Sequence, residues 1–255
     1  MSFEVAAEAY DRFMGRFSRL LAPQMADLAN IAPGMRALDV GCGTGALTAV
    51  LVDRLGTANV AGIDPSESFV AAARERFPEV RIEHGSAEAL PFGDRAFDAA
   101  LAQLVVHFMT DPVGGIREMA RVTRPGGVVA ACVWDHAGGT GPLGLFWRAV
   151  SDLRPGSVDE SRLPGARAGH LVEIFQQAGL TNIEASTVAA DLEMATFDAY
   201  FEPFTRGVGP AGAYVQALDP PERERLREHA RALAGPEPFT IKARAWAARG
   251  VVPAT

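Results

Sequence analysis

The chain predicts an α/β fold with a mainly parallel sheet and helices on both faces. Three observations carry this. Short apolar runs alternate with helix-patterned segments from about residue 36 to residue 134. The run Val128 to Trp134 is continuously apolar, as a strand buried on both faces requires. Ala37-Leu38-Asp39-Val40 leads straight into Gly41-Cys42-Gly43-Thr44-Gly45, and a helical pattern follows at once. Right-handed crossovers then limit the topology.

The elements follow in order. Residues 4–30 place Val5, Phe13, Phe17, Leu20, Leu21, Met25 and Leu28 near helical spacing, so an amphipathic helix is expected there. Pro33-Gly34 makes a turn before a first strand at about 36–40. A helix starts near Gly45 and ends at Gly56. Asn59 to Ile63 is the second strand, closed by Asp64-Pro65-Ser66, and Ser66 can cap a helix over 67–76. Val80 to His84 and Phe97 to Ala102 read as the third and fourth strands, with a helix over Val113 to Arg121. Arg124-Pro125-Gly126-Gly127 reads as a turn before the fifth strand, Val128 to Trp134.

The rhythm changes after Trp134. Residues 136–165 are rich in Gly and Pro and read as loop with a short helix from Phe146 to Leu153. His170 to Ala178 is helical. Asn182 to Ala190 and Phe239 to Ala247 alternate as strands do, and residues 196–234 between them are mainly helical with Pro and Gly breaks. The expected organisation is one domain over 1–255. It comprises an N-terminal helical lid (1–32), a ligand-binding core (33–135) and a C-terminal half (136–255) with a helical cap at about 196–234.

Composition narrows the function classes. At 255 residues, 48% hydrophobic and 22% charged, the chain is an ordinary globular protein with a sizeable core. Its net charge of −7 disfavours nucleic acid and anionic membranes as partners. The N-terminus carries Glu4, Glu8 and Asp11 and lacks the apolar centre of a signal peptide. The longest apolar run is too short to span a bilayer. Cys42 and Cys132 are unclustered, which fits a reducing cytoplasm and offers no metal-site spacing.

The chemistry gathers where parallel strands end. Open α/β sheets bind ligands at the carboxyl ends of their strands. The alternate glycines admit a ligand close to the backbone, because a Cβ would block it or forbid the φ > 0 conformations of the turn. The spacing is G-x-G-x-G, not the G-x-G-x-x-G of dinucleotide-binding loops. Asp64, 19 residues past Gly45, stands where a carboxylate would accept hydrogen bonds from a ribose diol. Gly85-Ser86-Ala87-Glu88-Ala89-Leu90-Pro91-Phe92 and Gln103-Leu104-Val105-Val106-His107-Phe108 follow the third and fourth strands.

With these residues in place, the chain resembles class I S-adenosylmethionine-dependent methyltransferases, nearest the small-molecule group that includes quinone-biosynthesis C-methyltransferases. The matching pieces are Leu38 to Gly45, Gly62-Ile63-Asp64-Pro65-Ser66, Ala87 to Phe92, Phe97-Asp98 and Arg124 to Gly127. Tyr10-Asp11-Arg12-Phe13-Met14-Gly15-Arg16 also resembles a lid segment found in part of that family. The resemblance implies a three-layer Rossmann-like sandwich with strand order 3-2-1-4-5-7-6 and strand 7 antiparallel. It implies S-adenosylmethionine as cofactor. Gly41, Cys42, Gly43, Thr44 and Gly45 would border its methionine part, and Asp64 its ribose. Pro65, Ser66 and Phe69 would border the adenine, with Ser86, Ala87 and Glu88 at its edge. Gln103 and Leu104 would line the sulfonium side, and Tyr10 and Arg16 would close over the amino-acid end, Arg16 pairing with the carboxylate. Many relatives carry Asp where this chain has Ser86, so the adenine amino contact is expected to be backbone-based or weaker.

Other residues have plainer readings. Asp39 satisfies backbone donors near the loop, and Cys42 is a small residue beside the ligand. His107 lies four residues after Gln103, so on a helical turn both would face one way. It is a candidate general base; capping the short helix or shaping the pocket are its alternatives. Asp135 and His136 end the fifth strand; a His–Asp pair can remove a proton from a phenol or alcohol, but adjacent positions rarely point the same way, so a loop role is expected. Phe146, Trp147, Tyr200, Phe201, Phe204 and Tyr214 pack the cap or wall a flat substrate. The expected activity is methyl transfer to a C, O or N nucleophile of a small molecule by a monomer or homodimer. A non-catalytic S-adenosylmethionine-binding module and an NAD-dependent oxidoreductase are the alternatives.

Overall fold

The computed structural model describes residues 7–157, 159–207 and 209–254, and the side chains of these except residues 7–10 and 12. Seven strands form one sheet in the order β3-β2-β1-β4-β5-β7-β6. They are β1 (Ala37–Val40), β2 (Val60–Asp64), β3 (Arg81–His84), β4 (Phe97–Gln103), β5 (Thr123–Trp134), β6 (Thr181–Met194) and β7 (Phe239–Val251). The first five run parallel, and β7 is antiparallel to both β5 and β6.

Alternate side chains of the buried strands serve two separate cores, as period-two geometry demands. On one face Ala37, Leu101, Cys132 and Trp134 meet α1 (Ala7–Leu28), α2 (Ala46–Leu55) and α3 (Glu67–Arg76). The same core takes in α5 (Gly144–Leu153) and the three helices between β6 and β7, namely α7 (Phe197–Thr205), α8 (Gly209–Ala217) and α9 (Pro220–Ala234). On the other face Leu38, Val40, Ile63, Val129 and Val133 pack on α4 (Pro112–Val122) and α6 (His170–Gln177).

Helix starts follow local chemistry. The Ser66 hydroxyl accepts the Phe69 N–H at the start of α3, and Asp111 accepts the Gly114 N–H ahead of Pro112 in α4. Asp219 and Glu222 form a reciprocal capping box on α9. None of the described helices is long and apolar enough to cross a membrane.

Two boundaries differ from the sequence reading. Arg124 to Gly127 is not a free turn, because β5 begins at Thr123 and the segment is a bulge. Thr123 pairs with Phe97, the register then shifts, and pairing resumes with Val128 opposite Ala99. Gly126 supplies the bend with φ +76°, and Arg124 holds it by donating to Asp98 at 2.5 Å. The last two strands also outrun their alternating cores. They pair continuously from Glu184 opposite Arg249 to Met194 opposite Phe239, so backbone pairing carries them past the clear side-chain pattern.

Candidate active site at the carboxyl edge of the sheet

Gly41, Gly43 and Gly45 all have positive φ, at +69°, +54° and +88°. Their surroundings differ. A Cβ on Gly41 would lie 2.3 Å from Val105, and one on Gly45 would lie 2.4 Å from Phe77. At Gly43 nothing stands within 4 Å of that position. Packing therefore demands glycine at both ends of the loop, while the middle glycine faces open space beside exposed backbone.

Asp64 braces this loop from the next strand. One carboxylate oxygen accepts the Gly43 N–H at 2.8 Å and the other accepts the Ser66 N–H at 2.9 Å. The side chain is buried, which raises its pKa; the N–H groups of Ser66 and Gly43 oppose that rise. Each oxygen accepts one of these backbone N–H groups, and a carboxylate oxygen has a further lone pair with which to accept from a ligand diol. Asp39 is fully enclosed, and desolvation pushes its pKa up to about 7 against the opposing Thr48 hydroxyl, which donates to it at 2.6 Å. It serves the start of α2, in keeping with its plainer reading. Burial, with Asp39 and Asp64 nearby, raises the Cys42 thiol well above its ordinary pKa, so it stays protonated.

The loop after β3 is tied forward to the start of α4. Glu88 accepts the Thr110 N–H at 2.8 Å and the Asp111 N–H at 3.4 Å, and it also takes the Ser86 hydroxyl. Burial pushes the Glu88 pKa up, but these donors outweigh it and leave the carboxyl below its ordinary value. Ala87 is buried beside it. Phe69 is buried in the first turn of α3, and the Pro65 carbonyl meets the His84 ring at 2.9 Å.

At the end of β4 the chain bends sharply. Leu104 adopts φ +63°, held by its N–H on the Cys132 carbonyl at 2.9 Å. Such a conformation in a bulky residue costs roughly 1–3 kcal/mol and tends to sit at functional sites. Gln103 ends the strand instead of opening a helix, so the expected shared helical face with His107 does not form. The Gln103 amide donates to the Ser18 carbonyl in α1 at 3.0 Å. His107 lies in the single 3-10 turn Val106–Phe108, with its ring centroid 5.7 Å from that of His136. Burial, helped by His136, drives the His107 pKa well below the ordinary value, so the imidazole is neutral at pH 7.

Six buried side-chain nitrogen or oxygen atoms lack a partner among the described residues. Four of them are here: Gln103 Oε1, His107 Nδ1, Trp134 Nε1 and His136 Nε2. Buried polar atoms are almost always hydrogen-bonded, so their concentration at the ends of β4 and β5 marks a place suited to a polar ligand. The donor set thus fits a nucleoside cofactor: open space at the Gly43 backbone, a buried carboxylate with lone pairs able to accept at Asp64, and unpartnered groups beyond.

The first helix reaches this edge through Asp11, which the sequence reading did not single out. Asp11 accepts the Thr44 hydroxyl at 3.0 Å. Its position beside Tyr10 in the lid-like segment is the signal that could have found it. Arg16 turns elsewhere, donating to the Glu193 carbonyl at 3.5 Å and lying 3.9 Å from the Met194 sulfur at the end of β6. The Tyr10 side chain lies outside the described ones. The approach of His136 Nδ1 to Glu160, 3.9 Å apart, also escaped the sequence reading, because those residues come together only when the 136–165 segment folds back. Among the described residues, no group of three or more His, Cys, Asp or Glu could hold a metal ion.

Comparison with known proteins agrees with this geometry. Residues 38–131 match the family model described as a methyltransferase domain. A demethylmenaquinone methyltransferase of Bacillus licheniformis is 28% identical over 71% of this chain and 78% of its own length. An uncharacterized methyltransferase of Mycobacterium tuberculosis is 38% identical over 63% of this chain, a match that spans 57% of that protein's length. The crystal structure of a putative methyltransferase from Bacillus halodurans superposes with a TM-score of 0.60 at 14% identity, covering 91% of this chain and 99% of that one. With its matched domain, its relatives and its strand order taken together, the chain carries a methyltransferase domain over residues 38–131, on a fold similar to that of class I S-adenosylmethionine-dependent methyltransferases.

Proposed function

We propose that the chain transfers a methyl group from S-adenosylmethionine to a nucleophilic atom of a small molecule. The observation that carries this reading is the pairing of open space at Gly43 with the Asp64 carboxylate behind it. In this reading Gly41 to Gly45 border the methionine part and Asp64 takes the ribose hydroxyls. Pro65, Ser66 and Phe69 flank the adenine, with Ser86, Ala87 and Glu88 at its edge. Gln103 and Leu104 line the sulfonium side, and the Tyr10–Arg16 segment closes over the amino-acid end.

Bound S-adenosylmethionine supplies an electrophilic methyl group, so the chain's own task is alignment and exclusion of water. Orientation alone lowers barriers by roughly 7–11 kcal/mol. The strained Leu104 backbone and the buried β4 and β5 ends give the rigid wall that alignment needs. Where the acceptor loses a proton, a neutral imidazole at His107 is in the right protonation state to accept it. Helices α1 and α7–α9 act as lid and cap.

Thermal unfolding with S-adenosylhomocysteine tests the reading. At about 100 times its dissociation constant the ligand stabilises the fold by roughly 2.7 kcal/mol. A shift with NAD and none with S-adenosylhomocysteine would replace it with an oxidoreductase reading.

A further inference from the structure

Beyond the end of β5 the sheet edge opens into a groove of about 710 Å³, a volume suited to a metabolite-sized ligand. The antiparallel course of β7 builds it. Trp134, the last residue of β5, pairs with Ala245, so residues 239–242 run past β5 on the same edge where β1 and β4 end. Phe239 and Trp147 give the groove apolar walls.

Its polar features differ in kind. The His136 side chain lines the groove, is only 4% exposed, and leaves Nε2 without a partner. Its Nδ1 stands 3.9 Å from Glu160, too far for a hydrogen bond, and Glu160 is already taken by the Trp147 indole N–H at 2.8 Å. Desolvation pushes the His136 pKa down to about 4, against the opposing charges of Asp135 and Asp159, so the ring is neutral at pH 7. Arg148 and Lys242 also line the groove, and neither has an ion pair among the described residues. The carboxylate on the lining, Asp159, has one oxygen engaged, Oδ1, which accepts the Ser161 N–H at 3.0 Å and the Ser161 hydroxyl at 2.5 Å.

We propose that this groove is the methyl-acceptor site and that its ligand is a small hydroxylated carboxylic acid. The hydroxyl donates to His136 Nε2, the carboxylate meets Arg148 and Lys242, and the apolar body lies against Trp147 and Phe239. The His107 ring is 5.7 Å from the His136 ring, so the hydroxyl end is the one nearer β4 and the cofactor side. This proposal rests on the methyltransferase reading.

Calorimetric titration of the full chain with meta- and para-hydroxyphenylpropionate tests it, with phenylpropionate as the control lacking the hydroxyl. At least one hydroxylated acid binds saturably and more tightly than phenylpropionate. The double variant Arg148→Met/Lys242→Met, altered at groove-lining positions outside the cores, weakens it about tenfold. His136→Asn removes the preference for the hydroxylated acid. Absence of saturable binding by both hydroxylated acids, or equal binding by the double variant, overturns the proposal. Titration of the same sample with S-adenosylhomocysteine separates the failures. Binding of that ligand alone sinks only the acceptor assignment, and binding of neither sinks the methyltransferase reading as well.

Discussion

The Asp11 carboxylate accepts the Thr44 hydroxyl at 3.0 Å, which fastens α1 to the glycine loop across 33 residues of sequence. Asp11 also accepts from Arg19 at 3.0 Å, one of the exposed pairs whose worth is small. The Thr44 contact is therefore the one that positions the start of α1. Thr44→Val is expected to raise amide exchange through the first two turns of α1 and leave the protection of β4 and β5 unchanged. Unaltered exchange in α1 would show that its aromatic packing suffices.

Asp64 is expected to matter twice, for the ligand and for the loop. Asp64→Ala leaves the Gly43 and Ser66 N–H groups without their acceptor, at about 1–3 kcal/mol of stability. Asp64→Asn keeps one accepting oxygen and is expected to unfold at a denaturant concentration nearer the parent. Both variants weaken S-adenosylhomocysteine binding by calorimetry. Intact affinity in Asp64→Ala would remove the ribose role.

The outer and middle glycines of the loop separate packing from ligand approach. Gly45→Ala drives a methyl group into Phe77 and strains a positive-φ residue, so a loss of about 2 kcal/mol or more in urea unfolding is expected. Gly43→Ala carries the backbone strain without the clash and destabilises less. Its methyl group enters the cradle, so its loss of ligand affinity exceeds that of Asp64→Asn relative to the stability lost. Similar stability losses in the two glycine variants would contradict the open space above Gly43.

Stability is expected to depend on pH through Asp39. Its pKa is about 7 in the folded chain against an ordinary 3.8, so the folded state holds a proton that the unfolded state has released. That contribution is full below about 3.8 and is lost as pH rises through about 7. Glu160, raised from 4.5 to about 7 by desolvation, acts in the same direction. His136, lowered to about 4, acts oppositely, and its contribution disappears as pH falls from 6.5 toward 4. Each group changes stability by at most about 1.4 kcal/mol per pH unit. Denaturant unfolding between pH 5 and pH 8 should show Asp39→Asn losing less stability with rising pH than the parent. Parallel curves would mean that Asp39 is ionised throughout.

Much of the fold was legible because the β1–β5 region obeys local rules. Val128 to Trp134 could only be a doubly buried strand, and Ser66 and Asp111 announce their helices. The glycine loop and Asp64 were legible because a ligand-bearing turn restricts residue type. Three features were not. The Arg124–Gly127 bulge looks like a turn because its pairing is made by backbone, with Arg124 bound to a residue 26 positions away. The direction of Arg16 depends on where β6 ends, which no helical period reveals. The groove at His136 is assembled from the loop after β5, α5 and the start of an antiparallel strand a hundred residues later. Its parts carry no common motif.

Phe13 of α1 contacts both Tyr200 and Phe204 of α7 edge-to-face, with centroids 6.5 Å and 5.2 Å away. Phe204 in turn lies against Phe146 of α5. Three segments far apart in sequence thus share one knot of aromatic rings over the carboxyl edge. Lifting any one of them wets the faces of the other two. The three segments are therefore expected to open as one cooperative unit, with one equilibrium in place of three independent ones.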